Sequence, residues 1–301
     1  MRDKIEILPI SLLESESVKV GKLKKLASRL KLEFGWHYLL DITWILRQLE
    51  EIESKSIIDA GAGTGVMQWY LAENGARVIS IDRESRAYVP PRFRRRYKVL
   101  GFRAADLITD NAPGRRSEGI IRTSLKAKVI DFIDLLRYEV NQISNSKDDS
   151  KSGQVIIYNQ DLVNLVDIAD DSIDAIVAVS SLEHNSPDGL ERVVAELMRV
   201  LKPGCALLAT LGAVRDSDWY HEPSKGWCYS DRTLRKIFHI SSEVPSNYDQ
   251  YDQLFNELQG CRELRENLAS FYFHSGDNGM PWGKWDPEYQ PVGICKIKGD
   301  N

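Results

Sequence analysis

Residues 57–65 read Ile57-Ile58-Asp59-Ala60-Gly61-Ala62-Gly63-Thr64-Gly65, and they indicate how the whole chain is built. The two isoleucines begin a short apolar run typical of a buried strand, and three glycines follow at alternate positions. Residues 66–74 then show a helical pattern that Gly75 ends. Glycine lets the backbone approach a ligand, and a helix N-terminus offers unpaired N–H groups. The stretch therefore predicts a strand, a glycine turn and a helix that form a pocket for a nucleotide-type ligand.

Residues 78–82 predict a second strand that ends in an acid. Asp82 lies 21 residues after Gly61, where a ribose-binding carboxylate is expected. A dinucleotide fingerprint would need glycine at positions 61, 63 and 66, but position 66 is valine and the third glycine is Gly65. Asp59 would repel a pyrophosphate, whereas it would attract an ammonium or sulfonium group. The spacing therefore favours a ligand with positive charge beside the turn.

This combination of an acid, a G-x-G-x-G turn and a second-strand acid resembles motif I of the class I S-adenosylmethionine (SAM) dependent methyltransferases. The stretch Ser181-Leu182-Glu183-His184 resembles the fourth motif of a broad group within them that acts on small molecules, lipids and sugars. The likeness covers residues 36–100, residues 153–240 and, loosely, the closing strands. The alternative is a glycine turn that only packs a helix against a sheet. The resemblance implies an enzyme with SAM as its cofactor.

By this resemblance, the glycine turn and the acid before it would hold the methionine part of SAM. The residues concerned are Asp59, Gly61, Ala62, Gly63 and Gly65. Asp82 would accept hydrogen bonds from the ribose hydroxyls, and Arg83 would lie beside the adenine. A helix cap is the alternative role for Asp82.

Two further predicted strand ends complete the implied cofactor site. Asp161 would take the adenine amino group, and the backbone of Leu162 would contact the edge of the ring. Ser180 would lie near the methionine amino group. A plain turn residue is the alternative for Asp161. All these residues follow predicted strands, and the C-terminal ends of parallel strands share the sheet edge at which open α/β sheets bind ligands.

Short apolar runs alternate with helical patterns along the chain. Strands are predicted at 55–60, 77–82, 155–158, 173–179 and 205–211, and helices at 18–32, 36–51 and 188–201. This alternation predicts an α/β fold with a Rossmann-like, seven-stranded, mostly parallel sheet whose last strand is antiparallel. The whole chain, 1–301, is expected to form a single SAM-dependent methyltransferase domain.

Three regions are added to the predicted core: an N-terminal helical cap (1–52), an insertion between the second and third strands (90–150), and an acceptor-side region with the closing strands (212–301). In the cap, Trp36, His37 and Tyr38 either line the pocket or are two core aromatics and a surface histidine. The last region is expected to contain helices at 231–239 and 248–264 and strands at 271–273 and 292–297.

The insertion is long and begins with a basic segment. The connection has about 70 residues, when one helix would need roughly half of that. Residues 90–128 hold eleven Arg/Lys and three acids, residues 124–143 have a helical pattern, and residues 144–153 predict a mobile loop. The basic segment has three open interpretations: a solvated face, a surface that attracts an anionic acceptor, or an RNA-binding surface.

The methyl group of SAM is already activated, so catalysis is mainly alignment of the acceptor atom, with a base where the acceptor is a hydroxyl. His184 follows the fourth strand and is the first candidate for this base, because the pKa of histidine lies near neutrality. His221, with Glu222, is the second candidate, and Glu183 is disfavoured because its side chain is expected to point into the structure. A structural loop histidine is the alternative for His184. No ligand pattern for a metal is recognisable, so no metal is predicted.

Composition narrows the class of protein further. The chain has 301 residues, 43% of them hydrophobic, and a net charge of −4, so it can bury a sizeable core and is not built as a polyanion binder. No apolar run approaches about 18 residues, and no signal pattern begins the chain, so no membrane span or secretion is expected. Four scattered cysteines without a C-x-x-C pair predict a reduced, cytoplasmic protein.

These patterns together predict a SAM-dependent methyltransferase that transfers a methyl group to an oxygen or nitrogen atom of a small-molecule or glycan-type acceptor. RNA methylation is the first alternative, but no RNA-binding module is evident, so nucleic acid is disfavoured as a partner. The second alternative is a SAM-binding scaffold without catalysis. The intact set of Asp59, the glycines and Asp82 argues against a scaffold.

Overall fold

A computed structural model of the protein describes residues 2–84, 86, 89–103, 153–270, 272, 280 and 284–299. In this part of the chain, ten strands form one sheet. The strands are β1 (Lys4–Ile7), β2 (Ser56–Ala60), β3 (Arg77–Asp82), β4 (Lys98–Arg103), β5 (Gln154–Asn159), β6 (Ile173–Val179), β7 (Leu201–Ala213), β8 (Trp219–His221), β9 (Gly226–Tyr229) and β10 (Gln290–Ile297). The helices are α1 (Ser11–Ser15), α2 (Ser17–Leu30), α3 (Tyr38–Gln48), α4 (Met67–Glu73), α5 (Pro91–Arg94), α6 (Pro187–Val200), α7 (Asp231–Ile237), α8 (Tyr251–Gln259) and α9 (Arg262–Glu266).

The main sheet has the strand order β1-β10-β7-β6-β2-β3-β5-β4, and the hairpin of β8 and β9 pairs with the end of β7. Each neighbouring pair from β7 to β4 is parallel, whereas β10 is antiparallel to β7. The predicted Rossmann-like sheet, mostly parallel with an antiparallel last strand, is therefore confirmed. Its predicted count of seven strands is wrong, because the described residues form ten. The C-terminal ends of β2, β3, β5 and β6 lie at one edge, where the predicted site residues follow them.

The two edge strands of the sheet differ from the prediction. The first fifteen residues show no clear pattern in the sequence, yet β1 pairs antiparallel with β10. Ile5 and Ile7 are fully buried in β1, whereas the residue between them is partly exposed. This alternation of buried and partly exposed side chains covers only four residues, which is too short to predict a strand from the sequence. At the other edge, β4 lies inside the basic segment and pairs parallel with β5. The predicted helix at 124–143 and most of the predicted loop at 144–153 lie outside the described residues.

The C-terminal region also differs in detail. The hairpin of β8 and β9 was not predicted, and the predicted long helix at 248–264 is divided at Gly260 and Cys261 into α8 and α9. Phe271 and Phe273, in the predicted closing strand, lie outside the described residues, and β1 is the strand that flanks β10. Among the helices that the structure describes, none combines the length and the apolar character needed to cross a membrane.

Buried side chains form two clusters on opposite faces of the sheet. Ile57 belongs to one cluster and Ile58 to the other, because successive side chains of a strand point to opposite faces. The first face is covered by α2, α3 and α4, and the second by α6 and α7. This three-layer arrangement places the N-terminus of α3 and the glycine turn above the same sheet edge.

Candidate active site

A cavity of about 1160 Å³ opens at the C-terminal edge of the sheet. It lies between the glycine turn, the N-terminal end of α3 and the turn that follows β6. Its wall includes these residues of the predicted site: Asp59, Gly61, Ala62, Gly63, Gly65, Asp82, Ser180 and His184. The wall also includes Trp36, His37 and Tyr38, so the cap lines the cavity and His37 is not a surface residue.

The glycine turn depends on glycine at two positions. Gly61 has φ +68° and Gly63 has φ +47°, a region that side-chain-bearing residues rarely adopt. A Cβ atom on Gly61 would lie 2.5 Å from Cβ of Ser181, so the turn after β6 packs directly on the glycine turn. The two loops that would hold the methionine part of SAM are therefore packed together.

Gln68, in the first turn of α4, holds the glycine turn in place through hydrogen bonds. Its Nε2 donates to the carbonyl oxygen of Gly65 at 3.1 Å, and its Oε1 accepts a hydrogen bond from Ser80 Oγ at 2.7 Å. Arg86 adds a second tie, because its guanidinium donates to the carbonyl oxygens of Gly63 and Ser80 at 3.2 and 2.7 Å. Neither residue is among the predicted site residues, although a glutamine within the otherwise apolar start of α4 is a usable signal.

Asp59 is buried, 2% exposed, and its Oδ2 has no hydrogen-bond partner among the described residues. Burial raises the pKa of Asp59 to about 7; the charge of Asp82 adds to this rise, while Arg86 and a hydrogen bond from the backbone of Gln68 oppose it. A buried acceptor without a partner is costly, and a cationic group in the cavity would satisfy it. The unpartnered oxygen and the close backbone of the turn therefore fit the sulfonium and ammonium groups of SAM.

Asp82 connects the end of β3 to the glycine turn. Its Oδ2 accepts the N–H of Gly63 at 2.8 Å, and its Oδ1 accepts the N–H of Glu84 at 2.8 Å. A carboxylate oxygen can accept a second hydrogen bond, so both oxygens can still bind ribose hydroxyls. Its position in the wall of the cavity agrees with the predicted ribose role.

The residues predicted to contact adenine do not line the cavity. Arg83 Nε lies 3.1 Å from Asp161 Oδ2, and Asp161 Oδ1 also accepts the N–H of Val163 at 3.2 Å. Leu162 is buried in the core on the α6 face. Asn159 ties this region to β3, because its Nδ2 donates to the carbonyl oxygen of Arg83 at 2.8 Å. The adenine assignments of Arg83, Asp161 and Leu162 therefore stay predictions.

A chain of four buried polar side chains extends from α3 to the turn after β6. His37 Nδ1 lies 2.6 Å from Asp41 Oδ2, and His37 Nε2 lies 3.5 Å from Ser180 Oγ. Ser180 Oγ in turn donates to Glu183 Oε1. Ser180 has φ +44°, a strained conformation of the kind that is concentrated at functional sites. His37 and Asp41 are spaced at i and i+4 on a mostly apolar helix, a signal that the sequence analysis did not use.

The two predicted catalytic histidines have different positions. His184 is exposed, lines the cavity, and its Nδ1 lies 3.0 Å from the carbonyl oxygen of Lys225. His221 is 1% exposed and does not line the cavity, because Ser224 and Tyr289 lie on the wall in front of it. Its Nδ1 accepts the N–H of Ser224 at 3.3 Å. Burial lowers the pKa of His221, and Glu288, whose carboxylate is 3.3 Å from Nε2, opposes this.

No metal-ligand cluster is found among the described residues. Asp218, near the second catalytic candidate, accepts hydrogen bonds from Ser230 and Thr233. These bonds fix the start of α7, where Ser230 also caps the helix. Asp218 therefore has a structural role in this part of the chain.

Comparison with known proteins agrees with the site. Residues 118–209 match the family model described as a methyltransferase domain. The matched range begins after the glycine turn. It contains β5, β6 and the larger part of β7, which belong to the same sheet as β2. The match covers less than a third of the chain. The sheet and the cavity agree with a methyltransferase domain, and with SAM as its cofactor.

No curated protein sequence matches the chain. Among solved structures, it is similar to the YcgJ protein of Bacillus subtilis, with 13% identity, coverage of 87% of this chain and 99% of that chain, and a TM-score of 0.41. It is similar to the 1,6-didemethyltoxoflavin-N1-methyltransferase of Burkholderia thailandensis, with 11% identity, coverage of 96% and 86%, and a TM-score of 0.42. It is also similar to phosphoethanolamine N-methyltransferase 2 of Haemonchus contortus, with 13% identity, coverage of 96% and 59%, and a TM-score of 0.47.

Proposed function

We propose that this methyltransferase acts on an oxygen or nitrogen atom of a small-molecule or glycan-type acceptor that binds in the cavity beside the glycine turn. One observation carries the proposal: a single cavity joins Asp59 and the glycine turn to His184 and to a group of aromatic side chains. Its volume of about 1160 Å³ exceeds the roughly 300–1,000 Å³ of ordinary ligand pockets, which supports room for two ligands.

The aromatic part of the wall suits a flat or ring-shaped acceptor. Trp36, Tyr38, Tyr272 and Tyr289 all line the cavity. The backbone N–H of Trp36 donates to the hydroxyl of Tyr272 at 3.1 Å, and its Nε1 donates to the hydroxyl of Tyr289 at 3.4 Å. These bonds fix the rings, and rigid aromatic walls with few polar groups are typical of small-molecule sites.

SAM, when bound, supplies a methyl group that the sulfonium has already activated. The residues of the chain then hold the acceptor in line with that group and, for a hydroxyl acceptor, remove its proton. His184 is our candidate base. The carbonyl of Lys225 can only accept a hydrogen bond, so Nδ1 of His184 carries the hydrogen and Nε2 of the neutral ring keeps its lone pair.

The acceptor class can be found with a methyl-donor assay on pooled cell fractions, separated into nucleic acid, lipid with glycan, and small metabolites. Methylation in the small-metabolite or glycan fraction supports the proposal. Salt-sensitive methylation of nucleic acid would favour RNA instead. Residues 104–128 of the basic segment lie outside the described part of the chain, so the assay decides between these two acceptor classes. Calorimetry with SAM completes the test. SAM binding without methylation of any fraction would favour the scaffold, and absence of SAM binding would contradict the enzyme.

A single variant tests the base. We expect His184→Ala to lower turnover about tenfold or more, while the dissociation constant of SAM changes little, because a general base contributes about 10² or more to the rate. His239→Asn is the matched control, because His239 is an exposed histidine outside the cavity and asparagine tolerates its φ of +50°. Normal turnover of His184→Ala would remove His184 from the base role.

A cytoplasmic location is part of the same proposal. It is supported by the four cysteines, all of which are unpaired in the structure. Fractionation of cells that express the tagged chain tests it, and recovery of the chain with the membrane or the secreted fraction would contradict it.

A further inference from the structure

Glu183 lies on the wall of the cavity, and one of its buried carboxylate oxygens has no hydrogen-bond partner in the described part of the chain. It is 5% exposed, and it lies in the short 3-10 helix Leu182–His184 that follows β6. Its Oε1 accepts the hydrogen bond from Ser180, but its Oε2 has no partner among the described residues. A nine-tenths buried carboxylate with one oxygen unused therefore lines the cavity.

A buried carboxylate oxygen without a hydrogen-bond partner lowers the stability of the fold. Leaving a buried acceptor unsatisfied costs about 1–3 kcal/mol, and more when the group is charged. Burial raises the pKa of Glu183, although the charge of His184 and the hydrogen bond from Ser180 oppose this rise. The neighbouring tyrosines do not satisfy the oxygen. The hydroxyl of Tyr38 donates to the carbonyl oxygen of Ser180 at 3.5 Å, and that of Tyr289 accepts from Trp36 Nε1. Neither hydroxyl is bonded to Oε2.

The rest of the network holds Ser180, the side chain that binds Glu183 Oε1. The carboxylate of Asp41 only accepts, so His37 Nδ1 carries the hydrogen and the orientation of the ring is fixed. Ser180 is held in turn by its own backbone, whose N–H donates to Thr210 Oγ1 at 3.1 Å. Ser180 binds Oε1, so Oε2 is the oxygen that remains for a ligand. A side chain held in this way is preorganised for a ligand.

We propose that Oε2 of Glu183 binds a hydrogen of the acceptor's reacting group. The acceptor is then an amine with one hydrogen for Oε2 and another for His184, or a hydroxyl whose single hydrogen Oε2 binds in place of His184. A carboxylate or phosphate oxygen would be repelled by this carboxylate, and a ring nitrogen without hydrogen would leave it unsatisfied. The inference rests on the proposed function, because it names the acceptor chemistry of the same cavity. The burial of Glu183 agrees with the expectation from the sequence that its side chain points into the structure, and the proposal adds a role for its second oxygen.

The experiment compares three small probes that share one ring. Benzylamine and benzyl alcohol present a donor hydrogen, whereas benzoate presents only acceptors. Dissociation constants are measured by ligand-observed NMR on the full chain saturated with S-adenosylhomocysteine, at about pH 7.5. We expect benzylamine and benzyl alcohol to bind about tenfold more tightly than benzoate, since a charge-assisted hydrogen bond contributes about 1.5–3 kcal/mol.

Two variants assign the preference to one side chain. Glu183→Gln keeps the shape but replaces one oxygen by an N–H donor, so the preference for benzylamine over benzoate should fall to about threefold or less. Glu191→Gln is the matched control, because Glu191 is exposed on α6 outside the cavity, and it should keep the preference of the unaltered protein. Thermal unfolding and binding of S-adenosylhomocysteine show that each variant is folded.

The outcomes separate the two proposals. If the unaltered protein binds benzoate as tightly as benzylamine, or binds none of the probes, the role of Glu183 is overturned while the methyltransferase function stands. The same holds if Glu183→Gln keeps the original preference. If the unaltered protein fails to bind S-adenosylhomocysteine, the proposed function fails first, and the inference fails with it.

Discussion

Asp59 and Glu183 are two buried carboxylates on the wall of the same cavity, and each keeps one oxygen without a partner in the described part of the chain. Burial raises the pKa of both groups. The two residues belong to different loops, the glycine turn and the turn after β6. We infer that the two carboxylates have different roles. Asp59 faces the positive charge of the cofactor, and Glu183 faces the acceptor.

The raised pKa of Asp59 makes SAM binding depend on pH. In the free protein Asp59 is protonated below about pH 7, and the positive charge of SAM favours the ionised form, so binding releases a proton. We therefore expect the dissociation constant of SAM to fall as the pH rises from about 6 to about 8, by up to about tenfold. Calorimetry in buffers of different ionisation enthalpy measures both the affinity and the proton release.

Asp59→Asn is the decisive variant for this effect. It removes the titrating group, so SAM should bind about tenfold more weakly at about pH 8, and the dependence on pH should flatten. The groups that face Asp59 are Arg86, which stays charged, and Asp82. The same slope in Asp59→Asn and the unaltered protein would assign the pH dependence to another group.

At the scale of elements, α3 is the part of the cap that shapes the acceptor side of the cavity. His37 precedes its first residue, Tyr38 begins it, and Asp41 lies in its first turn. The helix is held at its other end, where Trp44 packs against Gly293 of β10 and its Nε1 donates to Glu6 of β1 at 2.7 Å. The position of the buried network therefore depends on how closely α3 packs on the sheet.

Gly293→Ala tests this packing. The added Cβ would lie 2.5 Å from the ring of Trp44, so α3 must move or the ring must rotate. We expect a loss of about 1–3 kcal/mol in the free energy of unfolding, as for other overpacked sites. Urea unfolding followed by tryptophan fluorescence measures this loss.

Gly260→Ala is the matched control for Gly293→Ala. A Cβ at Gly260 would meet its nearest atom at 3.5 Å, an ordinary contact, and the φ of −80° suits alanine. We expect a change within about 0.5 kcal/mol for this surface position. Equal losses in both variants would show that tight packing at Trp44 is not the cause.

At the scale of the whole molecule, β1 joins the start of the chain to its end. It pairs with β10 at the edge of the sheet, and the carboxylate of Asp3 accepts from Lys296 Nζ at 2.7 Å. Asn247 completes the connection from the opposite side of β1. Its Oδ1 accepts the N–H of Ile7 at 2.7 Å, and its Nδ2 donates to the carbonyl oxygen of Ile7 at 3.0 Å. The outer edge of β1 is thus partly covered by a side chain 240 residues away.

Asn247→Ala tests how much this connection stabilises the fold. The change leaves two partly buried backbone groups of Ile7 without partners, so the free energy of unfolding should fall by about 1–3 kcal/mol. Asp249→Ala provides the comparison, because Asp249 is exposed in the short 3-10 helix Tyr248–Gln250 that follows Asn247 and has no such bond. A loss in Asn247→Ala no larger than in Asp249→Ala would mean that water replaces the amide at no cost.

The cofactor side of the site was accessible from the sequence because its determinants are local. Residues 57–82 contain a strand, a turn with two positive-φ glycines, a helix and the next strand, and each has its own sequence signal. From these signals, the parallel sheet and SAM as cofactor were predicted; the sheet is confirmed, and the match to a methyltransferase domain agrees with the cofactor. Short elements such as β1 and β4 escaped notice, because four to six residues carry little periodic signal.

The acceptor side was decided by packing between distant segments. His37 and Ser180 are 143 residues apart in the chain, and only the docking of α3 above β6 brings them together with Glu183. The same packing places His221 behind Ser224 and Tyr289, although its sequence context resembles that of a site residue. The glycine turn thus identifies the methyl donor from sequence alone. The chemistry of the acceptor depends on which buried oxygens the tertiary structure leaves unpaired.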